Sequence, residues 1–447
     1  MKTELLASFG VALALGSFAS SPTIDSVSVS PSPERIYSNS EVTYELSGEP
    51  GIVTFHLVTN GVPVDCPYVH VTGDMNRLLQ PGTHSFRWRN DIDWPGHAIR
   101  TNVCRIVVKA WSTNSPPDYM VYNLASPSEA PRYYAKAGDV PGGVTNRMYK
   151  IDHLVMRRIH AAGQTFVAGL SSTDFAYAAA NAPHEVAFTK DYYIGIYEVT
   201  FGQMHAVMSS GTTYVTGYTN NTKNKGYDPA ALLAEVGKTT DLHYSRAAGM
   251  TSYKWYWFGN GKVYPTSGRT CMADKYMQAF RTATKNDSMF LPTRWQWEFA
   301  CRAGTGTRLY DGSSETNETV VGTYGWHSGN NADDPDFYTD QASGISLPHE
   351  VGLKTPNAWG LYDMLGNVAE SCVDFWSGSA MPVDDVPYID PIGGVPTSTT
   401  SWNQPICGGS FADPHLKLCS GYKLGALCNT EQSTKGFRLV CDVEVSR

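Results

Sequence analysis

Only two stretches of this 447-residue chain carry apolar residues at helical spacing, Met272–Thr284 and Arg294–Ala303. A chain so short of amphipathic helices buries its apolar residues on short strands and beneath loops. The second stretch follows Leu291-Pro292-Thr293, and Thr293 with Gln296 forms a capping box at the head of a helix carrying Trp295, Trp297 and Phe299. Elsewhere the apolar segments are short, and Gly, Asn, Trp and Tyr recur between them.

Residues 20–125 read as β structure. Ile24, Val27 and Val29 alternate in part, and Val42–Leu46 follows a Ser/Pro/Glu turn. Ile52–Val58 and Val62–Val64 flank Asn60-Gly61, a dipeptide that signals a tight hairpin. Phe86–Trp88 and Arg105–Trp111 supply further strands, so this region is expected to form a small all-β, immunoglobulin-like sandwich. Residues 126–149, rich in Ser, Pro and Gly, predict a linker, with a second domain over 150–447.

Charged residues make up 17% and aromatics 12%, with a net charge of −8. A disordered chain would be poor in aromatics, so this one folds around a sizeable core. An acidic chain without Lys/Arg clusters is a poor ligand for phosphate backbones, and nucleic acid is not an expected partner. Met1-Lys2, the apolar run Leu5–Leu15 and the small-x-small site Ser17-Phe18-Ala19 predict a signal peptide over 1–19. The expected location is therefore secreted, periplasmic or at the cell surface. No later stretch reaches the roughly 18 apolar residues of a membrane span. Nine cysteines, none in a CxxC pair, argue against structural zinc, and in an exported chain several should be oxidised. Cys66 and Cys104, alone in the first domain, are expected to bridge.

Five ordered segments then carry a resemblance. They are His184–Thr189 leading into Tyr192–Thr200, Leu291–Thr305, Pro356–Val368, Gly408-Gly409-Ser410-Phe411, and Gly436–Val440. Together they resemble the formylglycine-generating enzyme (sulfatase-modifying factor) family. The resemblance implies an α+β, C-type-lectin-like fold with few helices and long loops. Asp363-x-x-Gly366-x-Val368-x-Glu370 sets two carboxylates seven residues apart around a glycine turn. On spacing alone Asp363 could equally cap a turn while Glu370 stays solvated. The resemblance implies a structural calcium site, with Asp363 and Glu370 as side-chain ligands and Gly366 and Val368 giving carbonyl oxygens. Trp on both sides of the Glu is usual in the family, whereas Ala369 and Ser371 stand here.

Catalysis in that family rests on two cysteines five apart that bind copper(I), the first shortly after the Gly-Gly-Ser-aromatic run. Here Asp413 takes the first place and Leu418 lies five beyond it. Copper(I) selects soft thiolates, so copper is not expected and no catalytic residue is assigned. Cys419 matches a following structural cysteine whose partner aligns with Cys301, which implies a Cys301–Cys419 disulfide. A rearranged copper pair from Cys419 with Cys428 or Cys407 stays open. His153, His160 and His184 do not form the triad that iron requires, and His327, His349 and the Asp333-Asp334-Pro335-Asp336 turn read as surface residues. The chain has no GxSxG elbow and no phosphate loop. The function expected is calcium-stabilised binding of glycans or peptides by the loops at 207–265 and 311–345. The alternatives are a copper-dependent oxidase acting on a sulfatase cysteine, or an iron-dependent relative.

Overall fold

Every second residue of the strand Ser40–Ser47 is buried, the period of a strand with one face on a core. The computed structural model describes residues 21–30, 40–66, 68–97, 103–170, 182–209, 276–334, 348–376, 386–392, 403–427 and 434–443. The expected signal peptide, Cys271, Cys428 and nearly all of the loop stretch 207–265 lie outside them. One sheet runs in the order Thr23–Ser30, Ser40–Ser47, Gly82–Trp88, Val71–Gly73. Facing it, Gly51–Thr59 pairs antiparallel with Cys104–Trp111 and, at its two ends, with Val62–Pro63 and Leu78–Leu79. Asn60 and Gly61 both adopt positive φ, 48° and 79°, the type I′ geometry that matches strand twist. Tyr44, Phe55, Phe86 and Trp88 fill the space between the sheets.

The strand Tyr119–Asn123 does not join this sandwich. It pairs with His153–Ile159 and with Arg132–Tyr134, which falls inside the expected linker. Tyr192–Gly195 and Val440–Asp442 complete that five-stranded sheet. Arg132–Tyr134 is only three residues long, and its strand character comes from its partner. A three-stranded sheet and a four-stranded one, the latter containing Ala369–Ser371 and Asn403–Cys407, pack nearby.

Helices are few, and the class is α+β as expected. Arg294–Arg302 is one, and its capping box is formed: Gln296 N donates to Thr293 Oγ1 at 3.2 Å, and Thr293 N donates to Gln296 Oε1 at 3.0 Å. Asn357 Nδ2 donates to the carbonyls of Ala300 and Cys301 near the helix's other end. Tyr276–Thr284 falls within the other helical pattern. Phe201–Ser209 and Glu318–Tyr324 are further helices that the apolar pattern did not single out. Among the described residues, no helix is long and apolar enough to cross a membrane.

Neither expected disulfide is formed; Cys66, Cys104, Cys301 and Cys419 are buried thiols. Cys104 Sγ lies 3.2 Å from Thr59 Oγ1 on the neighbouring strand, and Cys66 is hydrogen-bonded with Tyr68. Cys301 sits in the helix-centred core with its sulfur toward the Met364 carbonyl, whereas Cys419 packs with Leu170 and Tyr422 in a separate cluster.

Candidate functional site

The segments that carry the resemblance meet at one buried polar cluster. Glu370, fully buried, faces the Arg438 guanidinium in a two-pronged ion pair, with both N–H···O distances 2.6 Å. Trp297 Nε1 donates to the same carboxylate at 2.8 Å. Arg438 also donates to the carbonyls of Gly195, Ile196 and Tyr362. Glu198 accepts from Asn367 Nδ2 at 2.7 Å and from the Val368 amide at 3.0 Å. The Gly366 amide donates to Gly408 O. At Gly408, φ is 87° and a Cβ would sit 2.9 Å from Met364 O and 3.1 Å from the Trp297 ring, so only glycine passes there.

Three carboxylates thus share one guanidinium. Burial first, then the charges of Asp363 and Glu370, push Glu198 well above the ordinary carboxylate range. Burial likewise raises Asp363 to about 6, against the Gly352 amide and the charge of Arg438. Asp363 Oδ2 accepts from Gly352 N at 2.6 Å, whereas its Oδ1 is buried without a hydrogen-bond partner.

Calcium requires roughly six to eight oxygens turned to one point. The structure brings Asp363, Gly366, Val368 and Glu370 close together but turns Glu370 to Arg438, a cation already in place. Only Asp363 keeps a carboxylate oxygen without a hydrogen-bond partner. Glu370 is therefore not turned to an ion in the way the resemblance implied, because Arg438, 68 residues away, already faces it.

A fourth buried carboxylate, Glu298, follows Trp297 directly on the Arg294–Arg302 helix. Glu298 accepts from Arg302 Nη2 at 2.7 Å, from the Gly169 amide at 2.7 Å and from Lys423 Nζ. Burial alone would raise it; the charges of Lys423 and Arg302 outweigh that and pull it down to about 2. Neither Glu298 nor Lys423 was singled out from sequence, where the glutamate read only as part of a helix signature.

In the Gly408–Cys419 segment, Asp413 is locked. Its Oδ2 accepts from the Ser410 amide at 3.1 Å and hydroxyl at 2.6 Å, and its Oδ1 from Lys417 Nζ at 2.7 Å. Leu418 and Cys419 are both fully buried, the first in the apolar core and the second with its thiol raised by burial.

His327 and His349, expected at the surface, are buried, as is Asp334. The His349 ring stacks on Trp326 with centroids 3.9 Å apart. Its Nδ1 faces Asp334 Oδ2 at 2.6 Å and its Nε2 faces Asn331 Oδ1 at 2.9 Å. Asn331 Nδ2 donates to Phe411 O, which fixes the amide orientation. With an oxygen facing each ring nitrogen, His349 clasps the Asn331–Asp334 turn to the motif segment. His349→Ala is expected to lower unfolding stability by about 3 kcal/mol in a urea titration. A loss below about 1 kcal/mol would show that the ring does not hold that turn.

A cleft of 590 Å³ opens beside the far end of the Arg294–Arg302 helix, and Phe166, Leu170, Phe299 and Trp359 contribute to its lining. Phe166 and Trp359 are half-buried and flank Phe299 at 5.2 and 5.3 Å between ring centroids. Gln164, Thr165 and Thr305 supply polar edges.

These features define an α+β domain whose dispersed segments wire one buried core. The chain belongs to the sulfatase-modifying factor enzyme 1-like domain family, whose pattern matches residues 156–443. Over 164 residues it is 32% identical to the formylglycine-generating enzyme of Thermomonospora curvata, covering 34% of this chain and 49% of that enzyme. The match thus spans about half the length of that curated relative. Among solved structures, it is similar to variable protein 1 of Treponema denticola at 23% identity, covering 65% of this chain and 95% of that one, TM-score 0.37. PvdO from Pseudomonas aeruginosa matches at 19% identity over 64% and 94%, TM-score 0.38.

Proposed function

We propose that this protein is a ligand-binding member of its family, taking a glycan or a peptide segment, and that it does not carry out copper-dependent formylglycine chemistry. One observation carries the reading. The two positions at which the resemblance calls for thiolates hold Asp413, bound to Ser410 and Lys417, and Leu418, buried in the core. A carboxylate already paired with a lysine and a hydrocarbon side chain are not donors for copper(I). The aromatic-lined cleft beside Trp359 supports the binding half, since rings stack on the apolar faces of sugars and side chains while amides and hydroxyls meet their polar edges. The 32% identity to a formylglycine-generating enzyme favours the second reading, an oxidase.

The two readings separate in one assay. With a cysteine-bearing sulfatase peptide, oxygen and copper(I), no aldehyde product above buffer is expected. Turnover that disappears in Cys419→Ser or Cys428→Ser would establish the oxidase instead. On a glycan and peptide array the protein is expected to give hits that Trp359→Ala weakens at least tenfold.

A further inference from the structure

Cys372 follows the strand Ala369–Ser371 directly, and Cys407 ends the strand Asn403–Cys407. The two strands pair antiparallel with Glu370 opposite Cys407, and the Cys372 amide continues the ladder by donating to Pro405 O at 2.9 Å. Because side chains alternate across a strand, Glu370, Cys372 and Cys407 share one face. The Cys372 and Cys407 sulfurs are 3.7 Å apart, and both residues are fully buried. Other described thiols lie against different partners: Cys104 against Thr59, Cys301 against the Met364 carbonyl, and Cys441 against Met156.

We propose that Cys372 and Cys407 are a disulfide-forming pair, joined across the strands when the chain folds in the presence of a small-molecule disulfide. The oxidant is of the oxidised-glutathione class. One cysteine, as thiolate, attacks it; a mixed disulfide forms and one small thiol leaves. The second cysteine then displaces the other small thiol, and the Cys372–Cys407 bond forms. Two electrons reduce the oxidant's disulfide, and the two protons end on the two released thiols. Neither sulfur is exposed in the folded chain, so the exchange precedes closure of the core. Burial raises the Cys372 thiol, which keeps an unreacted pair inert afterwards.

The bond has a structural consequence. Glu370, the carboxylate facing Arg438, stands two residues before Cys372, and Gly408-Gly409-Ser410 begins directly after Cys407. The bridge therefore staples the strand of the buried ion pair to the strand that feeds the motif segment. It closes a long loop through residues 373–406, the arrangement in which a cross-link most restricts the unfolded chain.

The test uses the wild-type full chain, refolded in a reduced/oxidised glutathione buffer, alkylated under denaturing conditions and mapped by mass spectrometry of its peptides. The expected result is a linked Cys372–Cys407 peptide pair that resists alkylation until reductant is added. Reduction is expected to lower Tm by roughly 5 °C or more. Cys372→Ser should leave Cys407 alkylated. Full alkylation of both cysteines in the refolded wild type, or linkage of either to another cysteine, would overturn the assignment.

Discussion

Replacing Arg438 by Met is expected to lower unfolding stability by about 3–5 kcal/mol, the largest effect of any single substitution in the second domain. The guanidinium is fully buried and is the cation that faces Glu370, with Glu198 and Asp363 beside it. Its removal leaves three buried carboxyl groups without that charge and leaves the Gly195, Ile196 and Tyr362 carbonyls without its donors. Arg438→Lys keeps the charge but loses the planar fork, so it should recover only part of the loss. Arg438→Met combined with Glu370→Met should be less damaging than the sum of the two single changes, because the pair leaves together. Urea unfolding of the four variants measures this. Loss below about 1 kcal/mol in Arg438→Met would show that the ion pair is not what holds the motif segments together.

The second large effect is a pH dependence with opposed contributions. Glu298 is pulled down from 4.5 to about 2. Its contribution is fully present above about 4.5 and is lost as pH falls toward 2; at about 1.4 kcal/mol per decade it is worth about 3 kcal/mol at neutral pH. Asp363 is raised from 3.8 to about 6. The folded chain then binds its proton more tightly than the unfolded chain, so stability falls as pH rises from about 4 to about 6, by a similar amount. In a chelating buffer, Tm should therefore climb as pH drops from about 6 to about 4.5, level off where the two contributions cancel, and fall below about 4. Asp363→Asn should remove the first limb and raise Tm at pH 7 by roughly 5 °C, since Asn tolerates the positive φ of 54° held at that position. Glu298→Gln should remove most of the acid limb and lower Tm at pH 7. A fall in Tm for Asp363→Asn at pH 7 would show that the charged form of Asp363 is the one the fold uses.

Much of the framework was legible from local chemistry. The capping box at Thr293 and the hairpin at Asn60-Gly61 each depend on residues within four positions of one another, and both form as read. The five motif segments identified the family, and the structure explains their spread: His184 accepts from Trp295, Trp297 binds Glu370, Asn367 binds Glu198, and Arg438 closes the set. What the sequence could not place depended on distant partners. The calcium reading rested on a resemblance in a local segment, which says nothing about Arg438. The Cys66–Cys104 reading rested on those two being alone in the first domain and the Cys301–Cys419 reading on the resemblance, and neither says which partner each thiol meets in the core. His349 and Asp334 looked like surface residues because their burial depends on Trp326, Asn331 and Phe411.

The amino-acid order alone thus settled the helix head, the tight turn and the presence of Asp413 and Leu418 where the family resemblance calls for thiols, since each is a matter of near neighbours or of residue identity. The long-range partners of the buried carboxylates were decided only in three dimensions. A carboxylate in the interior is governed by whichever donor the fold brings to within about 3 Å, and Arg438 for Glu370, Lys423 for Glu298 and the Val368 amide for Glu198 come from 68 to 170 residues away.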